Sequence, residues 1–479
     1  MQKEGSVSIF LAMVFISLSS LFLCMAEGVR YLAMAKSSKI YANETKGYLE
    51  SLYHEKLWDE YGITAIDESF SGKKPFYDRT KDFVSSEFIS DDERMNYFIC
   101  DISSLTISDK KYLIDDGGEA FFRLAVKKEL ERLPRNAFQK IESQVKSGTV
   151  DLDEEDEFDK RISDGEKAIE DSKEQENKEI EESKYEKKDW SGVDNPMDLA
   201  KEKRGREDMS FWIGDKGVSI NELKNDSLPS SYPISKSGFN NPVSKLIYSQ
   251  YLKDYFGNFL NESKSGCLCY GTEYVICGKK SDKENLEAII RRLLVLREVQ
   301  NTISIKTNAA LDMEAGSLAL SLAGFTANPM IIESVKLGII AGWAYVESVL
   351  DVRTLLMGER VPALKTVDQF TSSLPTLASC LDKSIRAKSV KNGISYEMYL
   401  SAILLVETQE KVNFRTMDLI EETIKKDSMY EKFSMKNLIY KCEVGAKITG
   451  KPVLLGFVDL KHKPTKYNFM EKIELNYLN

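Results

Sequence analysis

Glu347 and Asp351 stand four residues apart in a stretch, 330–357, that is apolar apart from these two and Glu333, Lys336 and Arg353. On a helix that spacing puts both carboxylates on one face. Two carboxylates so placed could share acid–base work or hold a cation. Either role needs help nearby, from a nucleophile, an imidazole or further ligands. The chain has only two histidines, His54 and His462, and neither adjoins the pair. The competing reading is a structural ion network with Arg291, Arg292, Arg297 or Arg353 inside a helical core. A buried network of Glu273, Arg297, Glu347, Asp351 and Arg353 is therefore expected. No catalytic, cofactor-binding or metal-binding residue is assigned, and no cofactor is expected.

Cysteine is the other residue type that could do chemistry. Cys24 lies in an apolar run, and Cys100, Cys267, Cys269, Cys277, Cys380 and Cys442 are spread over the rest. Cys267 and Cys269 would share a face of a strand, with Cys277 about a hairpin away. Three readings stay open for this group: reduced thiols, one disulfide, or a metal site that lacks a fourth ligand.

The elements that must position these residues follow from periodicity. Residues 246–260 step Tyr248, Tyr251, Tyr255, Phe256 and Phe259 along a helix face, whereas 266–279 is bounded by glycines and reads as strand or extended chain. Ser281 or Asp282 is expected to cap a helix carrying Leu286, Ile289, Ile290, Leu293 and Leu294. Residues 315–332 form an uncharged run of 18, but Asn328-Pro329 interrupts it and the next apolar run, 337–346, has only ten residues. Ten residues cannot cross a bilayer as a helix. Two core helices, 309–325 and 330–357, are expected instead, with 326–329 as the corner. Further helices are read at 395–408 and around 415–422, then strands at 438–448, 453–460 and 467–478.

The N-terminal part has its own organising element. Residues 5–26 are 22 residues without a charge, long enough to span about 33 Å as a helix against a ~30 Å hydrocarbon core. Val7, Ile9, Phe10, Leu11, Val14, Phe15, Leu18, Leu21 and Phe22 are the expected membrane-facing residues. The run is longer than the apolar core of a signal peptide, and helical spacing continues beyond it, so an uncleaved anchor leading into an amphipathic helix to about Trp58 is expected. The α-amino group and Lys3 favour the N-terminus inside, leaving most of the chain extracytoplasmic at the cell membrane. Gly62 reads as a helix stop, 96–107 as a strand with one slip, and 120–133 as a helix.

Charge then divides the chain. Residues 151–190 hold 18 acidic and 8 basic residues, which accounts for the whole formal net charge of −10. A clustered basic face is absent from the composition, so nucleic acid is not an expected partner. The expected domains are 1–27, a transmembrane anchor; 28–140, a pilin-like helix with a membrane-proximal α+β module; 141–206, a charged, disordered linker; and 207–479, a distal helical domain closed by C-terminal strands. The fold class is α+β, mainly α.

Two resemblances add to this reading. GSVSIFL at 5–11 and EGVR at 27–30 resemble the start of TadE/TadG-like proteins of tight-adherence (Flp-type) pilus systems. Gly5 would then correspond to a processing site, while Phe10 stands where type IV pilins carry a glutamate. YGTEYVICGK at 270–279, REVQN at 297–301, WAYVE at 343–347, DVRTLLMG at 351–358, VPALK at 361–365 and GISYEMYL at 393–400 resemble an uncharacterised family of membrane-anchored proteins of Gram-positive bacteria. The resemblance implies a non-enzymatic, single-span envelope protein. It would be a pseudopilin-like or accessory part of a pilus or secretion assembly, with the membrane and other assembly proteins as partners and self-association through the N-terminal helix. The alternative is a surface-anchored enzyme or ligand receptor using the Glu347/Asp351 face.

Overall fold

The computed structural model describes residues 2–69, 75–88, 100–132, 164, 167, 185–225, 227–233, 241–453 and 466–478. In chain order the helices and strands are α1 (Gln2–Ser51), α2 (Glu55–Tyr61), β1 (Ile66–Asp67), α3 (Phe76–Phe88), β2 (Cys100–Tyr112), α4 (Glu119–Arg132), α5 (Pro196–Lys203), α6 (Met209–Ile213), α7 (Pro242–Phe256), α8 (Gly271–Cys277), α9 (Asp282–Thr307), α10 (Ala309–Ala323), α11 (Pro329–Leu356), α12 (Leu377–Cys380), α13 (Tyr396–Val406), α14 (Gln409–Lys425), β3 (Leu438–Gly450) and β4 (Tyr467–Asn476). The fold is α+β and mainly helical, with antiparallel strands at the C-terminal end. Two compact units result: Met1–Lys128 with Leu228–Phe239 and Ile420–Asn479, and Glu129–Ser227 with Asn240–Leu419.

The first unit is built on β3. This strand pairs antiparallel with β2 on one side (Leu105 opposite Ala446) and with β4 on the other (Val444 opposite Ile473). Its alternate residues Cys442, Val444 and Ala446 are buried with Leu49 of α1, Phe76 and Val84 of α3, and Leu105. The ring of Tyr48 stacks on Phe83 at 3.9 Å, joining the two helices over that face.

Helix α1 has two regimes. Its most apolar window is 0% buried, whereas from Glu27 onward one face is covered by β4 and the end of β3. The Tyr467 hydroxyl donates to Glu27 (3.2 Å), the Ser38 hydroxyl to Glu471 (2.8 Å), and the Tyr477 hydroxyl to the Leu49 carbonyl (3.3 Å). The expected continuous helix to Trp58 is corrected: α1 ends at Ser51 and α2 starts at Glu55. The backbone N–H of His54 donates to the Ala65 carbonyl (2.8 Å) and its Nδ1 accepts from the Leu57 N–H (3.1 Å), so the imidazole caps a new helix. Gly62 closes α2 at φ 67°, as its composition indicates.

In the second unit α11 is central, packed by α5, α9 and α10 and buried on every side from Gly338 to Leu356. Of its apolar window 67% is inside the protein, which agrees with a core helix and not a second span. The Asn328 side chain accepts from the Met330 N–H (3.0 Å) with Pro329 in the first turn, the corner expected from Asn-Pro. Ser281 and Glu284 form a reciprocal capping box at the start of α9.

Three expectations are corrected here. The segment 271–277 is helix α8, not extended chain; its β-branched and aromatic residues favour strand, but packing decides. The expected linker 141–206 ends too late. From Tyr185 the chain is packed in the second unit, with Trp190 Nε1 donating to Ser317 Oγ (3.1 Å) and α5 lying on α11 where Gly342 leaves no side chain. The C-terminal strands do not close a continuous 207–479 domain, because their partner is β2. Apart from 164 and 167, the remaining linker residues, and the strand expected at 453–460 from residue 454 on, lie outside the described residues.

Candidate functional site

A cluster of buried charge in the second unit lies where α9, α11 and the segment 361–372 meet. Arg297 and Asn301 lie one turn apart on α9, and Glu347, Ser348 and Asp351 lie on one face of α11. Lys365 enters from the segment that follows α11. None of these side chains is exposed.

Asp351 is the hub. Its Oδ2 accepts from Arg297 Nε (3.0 Å) and Nη2 (2.7 Å) and from Asn301 Nδ2 (2.9 Å), and its Oδ1 from Lys365 Nζ (2.6 Å). Lys365 also donates to Glu347 Oε1, which takes the Thr371 N–H (3.1 Å) as well. Glu347 Oε2 accepts the Ser372 N–H (2.9 Å) and hydroxyl. Arg297 spends Nη1 on Gln300 (2.6 Å), the Pro362 carbonyl (2.9 Å) and the Tyr399 hydroxyl (3.0 Å).

Two cations face two carboxylates, and each carboxylate oxygen has a donor. Burial by itself would raise the Asp351 carboxyl; Arg297 and then Lys365 override it and hold it below the usual range. Burial lowers Arg297, but Asp351 and Tyr399 more than restore it, so it remains a cation. Every oxygen of the pair is buried and already accepts at least one hydrogen bond. The arrangement pins α9, α11 and 361–372 in register.

Sequence reasoning brought Arg297, Glu347 and Asp351 together correctly and missed Lys365. The signal was present in VPALK, a lone cation among apolar residues just after the helix carrying both carboxylates. Two expected members lie elsewhere. Arg353 is on α11 but turns away: its guanidinium donates to the carbonyls of Phe211 (2.9 Å), Asp382 (2.7 Å) and Leu381 (3.2 Å) and lies over the Phe211 ring at 4.3 Å. Burial depresses it to about 10. Glu273 sits on α8, where Oε1 accepts from the Phe259 N–H (2.8 Å) and the Tyr396 hydroxyl (2.7 Å) and Oε2 is buried without a hydrogen-bond partner. Burial pushes its carboxyl up to about 7 against those two donors. Direction along a helix, not spacing, separated Arg353 from the cluster; α8 as a helix carried Glu273 away from it.

Cys24, Cys269, Cys277, Cys380 and Cys442 are not in disulfides, and the Cys267 thiol donates to the Leu419 carbonyl (3.7 Å). Burial raises Cys277 to about 11, which leaves an unreactive thiol. Among the described residues no group of three or more His, Cys, Asp or Glu side chains is placed to hold a metal ion. Val7, Ile9, Phe10, Leu11, Val14, Phe15, Leu18, Leu21 and Phe22 are all exposed on α1, and Gly5 lies within the same helix.

A family described as one of unknown function, DUF5702, matches residues 134–450, a stretch that holds every member of the buried cluster. No curated protein and no solved structure matches the chain.

Proposed function

The chain belongs to the DUF5702 family of unknown function, and on that premise we propose that it is a non-enzymatic, single-span envelope protein serving as an accessory, pilin-like part of a tight-adherence-type pilus or secretion assembly. The observation that carries this reading is α1. Its first half exposes an uncharged apolar surface, and its second half is built into the core of the first unit as one unbroken helix. A membrane anchor made this way transmits position to the folded head, which a flexible tether would not. The likeness of residues 5–11 and 27–30 to TadE/TadG-like proteins supplies the assembly, and the wider resemblance supplies the Gram-positive envelope. Since Phe10 replaces the pilin glutamate, association runs through apolar faces of α1 and not through a buried carboxylate. The burial of Glu347 and Asp351 against Arg297 and Lys365 favours a structural role for that pair over a catalytic or ligand-binding one.

The reading is tested by crosslinking the full-length chain in its native membranes and identifying its neighbours by mass spectrometry. Pilus- or secretion-assembly proteins are expected; recovery of monomer alone would overturn the assembly role. Fusion of alkaline phosphatase or a fluorescent protein to the C-terminus tests the orientation, with phosphatase activity expected and fluorescence contradicting it.

A further inference from the structure

The uncharged run stops at Ala26 because Glu27 follows, and by sequence the span stops there too. In the folded first unit Glu27 is 1% exposed. Its carboxylate pairs with Arg30 (2.9 Å) and accepts from Tyr467, and Arg30 in turn donates to the Lys451 carbonyl (2.8 Å). Both charges that follow the apolar run are turned into the sheet. On the opposite face the apolar stripe runs on through Met25, Val29 and Leu32, the last two 68% and 67% exposed, and is closed one turn later by Lys36. From Val7 to Leu32 this surface is about 39 Å long as a helix, against a ~30 Å hydrocarbon core.

The sheet stands along α1 with a defined end toward the span. Tyr467 meets Glu27 and Tyr477 meets Leu49, so β4 climbs about 33 Å while α1 climbs the same distance. The end nearest the span therefore consists of Gly450, Lys451 and the start of β4. Tyr31 packs there on Tyr467 and Phe469 at 5.2 and 5.4 Å while 42% exposed itself. Lys36, Lys39, Lys451 and Lys466 are exposed at this level. Aromatic rings flanked by lysines beside an apolar helix are the composition of a membrane–water boundary.

We propose that the bilayer crossed by α1 continues past Ala26 to Leu32, and that the Lys451/Tyr467 end of the sheet is seated in its headgroup layer. Val29 and Leu32 contact the acyl boundary, and Lys36, Lys451 and Lys466 contact anionic headgroups. The head is thus held at a fixed height and orientation by the lipid surface as well as by the helix. Continuity of the stripe with the span points to lipid and not to a second copy. This inference rests on α1 being a span but is independent of the assembly role, because its test contains only this chain and lipid.

The full-length protein, carrying a photoreactive benzophenone amino acid at position 22, 32 or 40, is reconstituted into phosphatidylcholine vesicles with or without phosphatidylglycerol. After irradiation the adducts are identified by mass spectrometry. Lipid adducts are expected at 22 and 32 and none at 40. Adducts at 22 alone would overturn the seat, as would crosslinks at 32 to a second copy; loss at both positions would remove the anchor and the seat together. Phosphatidylglycerol is expected to raise the yield at 32, by roughly twofold or more, as the lysines draw the boundary closer to anionic headgroups. The triple variant Lys36→Gln, Lys451→Gln, Lys466→Gln, which changes only exposed residues, is expected to lose that rise. An unchanged rise in a variant of unchanged thermal midpoint would overturn the headgroup contact.

Discussion

Lys365 is the residue on which the buried cluster balances. Removing it by Lys365→Met leaves Glu347 without a cation in a dry core and Asp351 with Arg297 alone. The expected cost is about 3–5 kcal/mol, because an uncompensated buried charge remains. Lys365→Met with Glu347→Gln should recover part of that loss, since the orphaned charge is gone too; chemical denaturation of the single and double variants measures it. His54 offers a test with a sign. Burial pushes it below 6.5, with Asp67 opposing, and Tyr430 and Phe433 pack on the ring at 5.0 and 4.9 Å. The unfolded chain binds its proton near 6.5 while the folded chain does not, so this contribution is present above that pH and is lost as pH falls through it. Protonation at Nδ1 would also abolish the cap on Leu57. Thermal midpoints from pH 7.5 down to about 5 should decline in the wild type through this group, while His54→Asn keeps a cap and removes its share of the slope. An unchanged slope in His54→Asn would assign the acid sensitivity elsewhere.

At the scale of elements, what was legible depended on local chemistry. Ser281 with Glu284, Asn328 with Pro329, and Gly62 each mark a helix end through their own side chain or backbone freedom, and each end stands where composition puts it. Helix α8 and the break at Ser51 were not legible, because the first is imposed by packing and the second by a hydrogen bond to Ala65. The seating of α5 on α11 belongs to the same class. A Cβ at Gly342 would lie 2.4 Å from the Pro196 carbonyl oxygen, which is backbone and cannot swing aside. Gly342→Ala should therefore lift α5 and destabilise by about 1–3 kcal/mol. Hydrogen exchange of the full-length chain should show faster exchange over 196–203 while α9 keeps its protection; unaltered exchange over α5 would contradict the seating.

For the whole molecule, α1 divides into an exposed apolar part long enough to span a membrane and a part that belongs to the core. Deleting residues 2–26 removes the apolar window that is 0% buried, so the thermal midpoint should stay that of the full-length protein in detergent. Deleting 2–51 removes Met34 and Leu49, 1% and 0% exposed. Loss of such residues costs about 2–5 kcal/mol each, and the first unit should no longer unfold cooperatively. Equal midpoints for the two deletions would mean that the second half of α1 is as dispensable as the first.

By itself the sequence determined the anchor run, the predominance of helix, the caps, the core character of α11 and three of the four members of the buried charge cluster. Each of these follows from interactions within a few residues, or from periodicity along one element. Tertiary structure alone decided that β3 pairs with β2, that Tyr185 to α5 is packed chain, that Lys365 joins Glu347 to Asp351, and that Glu27 and Arg30 are turned inward so that the exposed apolar stripe runs on to Leu32. Those are choices of partner between segments far apart in the chain. A side chain's type says that it needs a partner, and only the folded core says which one it meets.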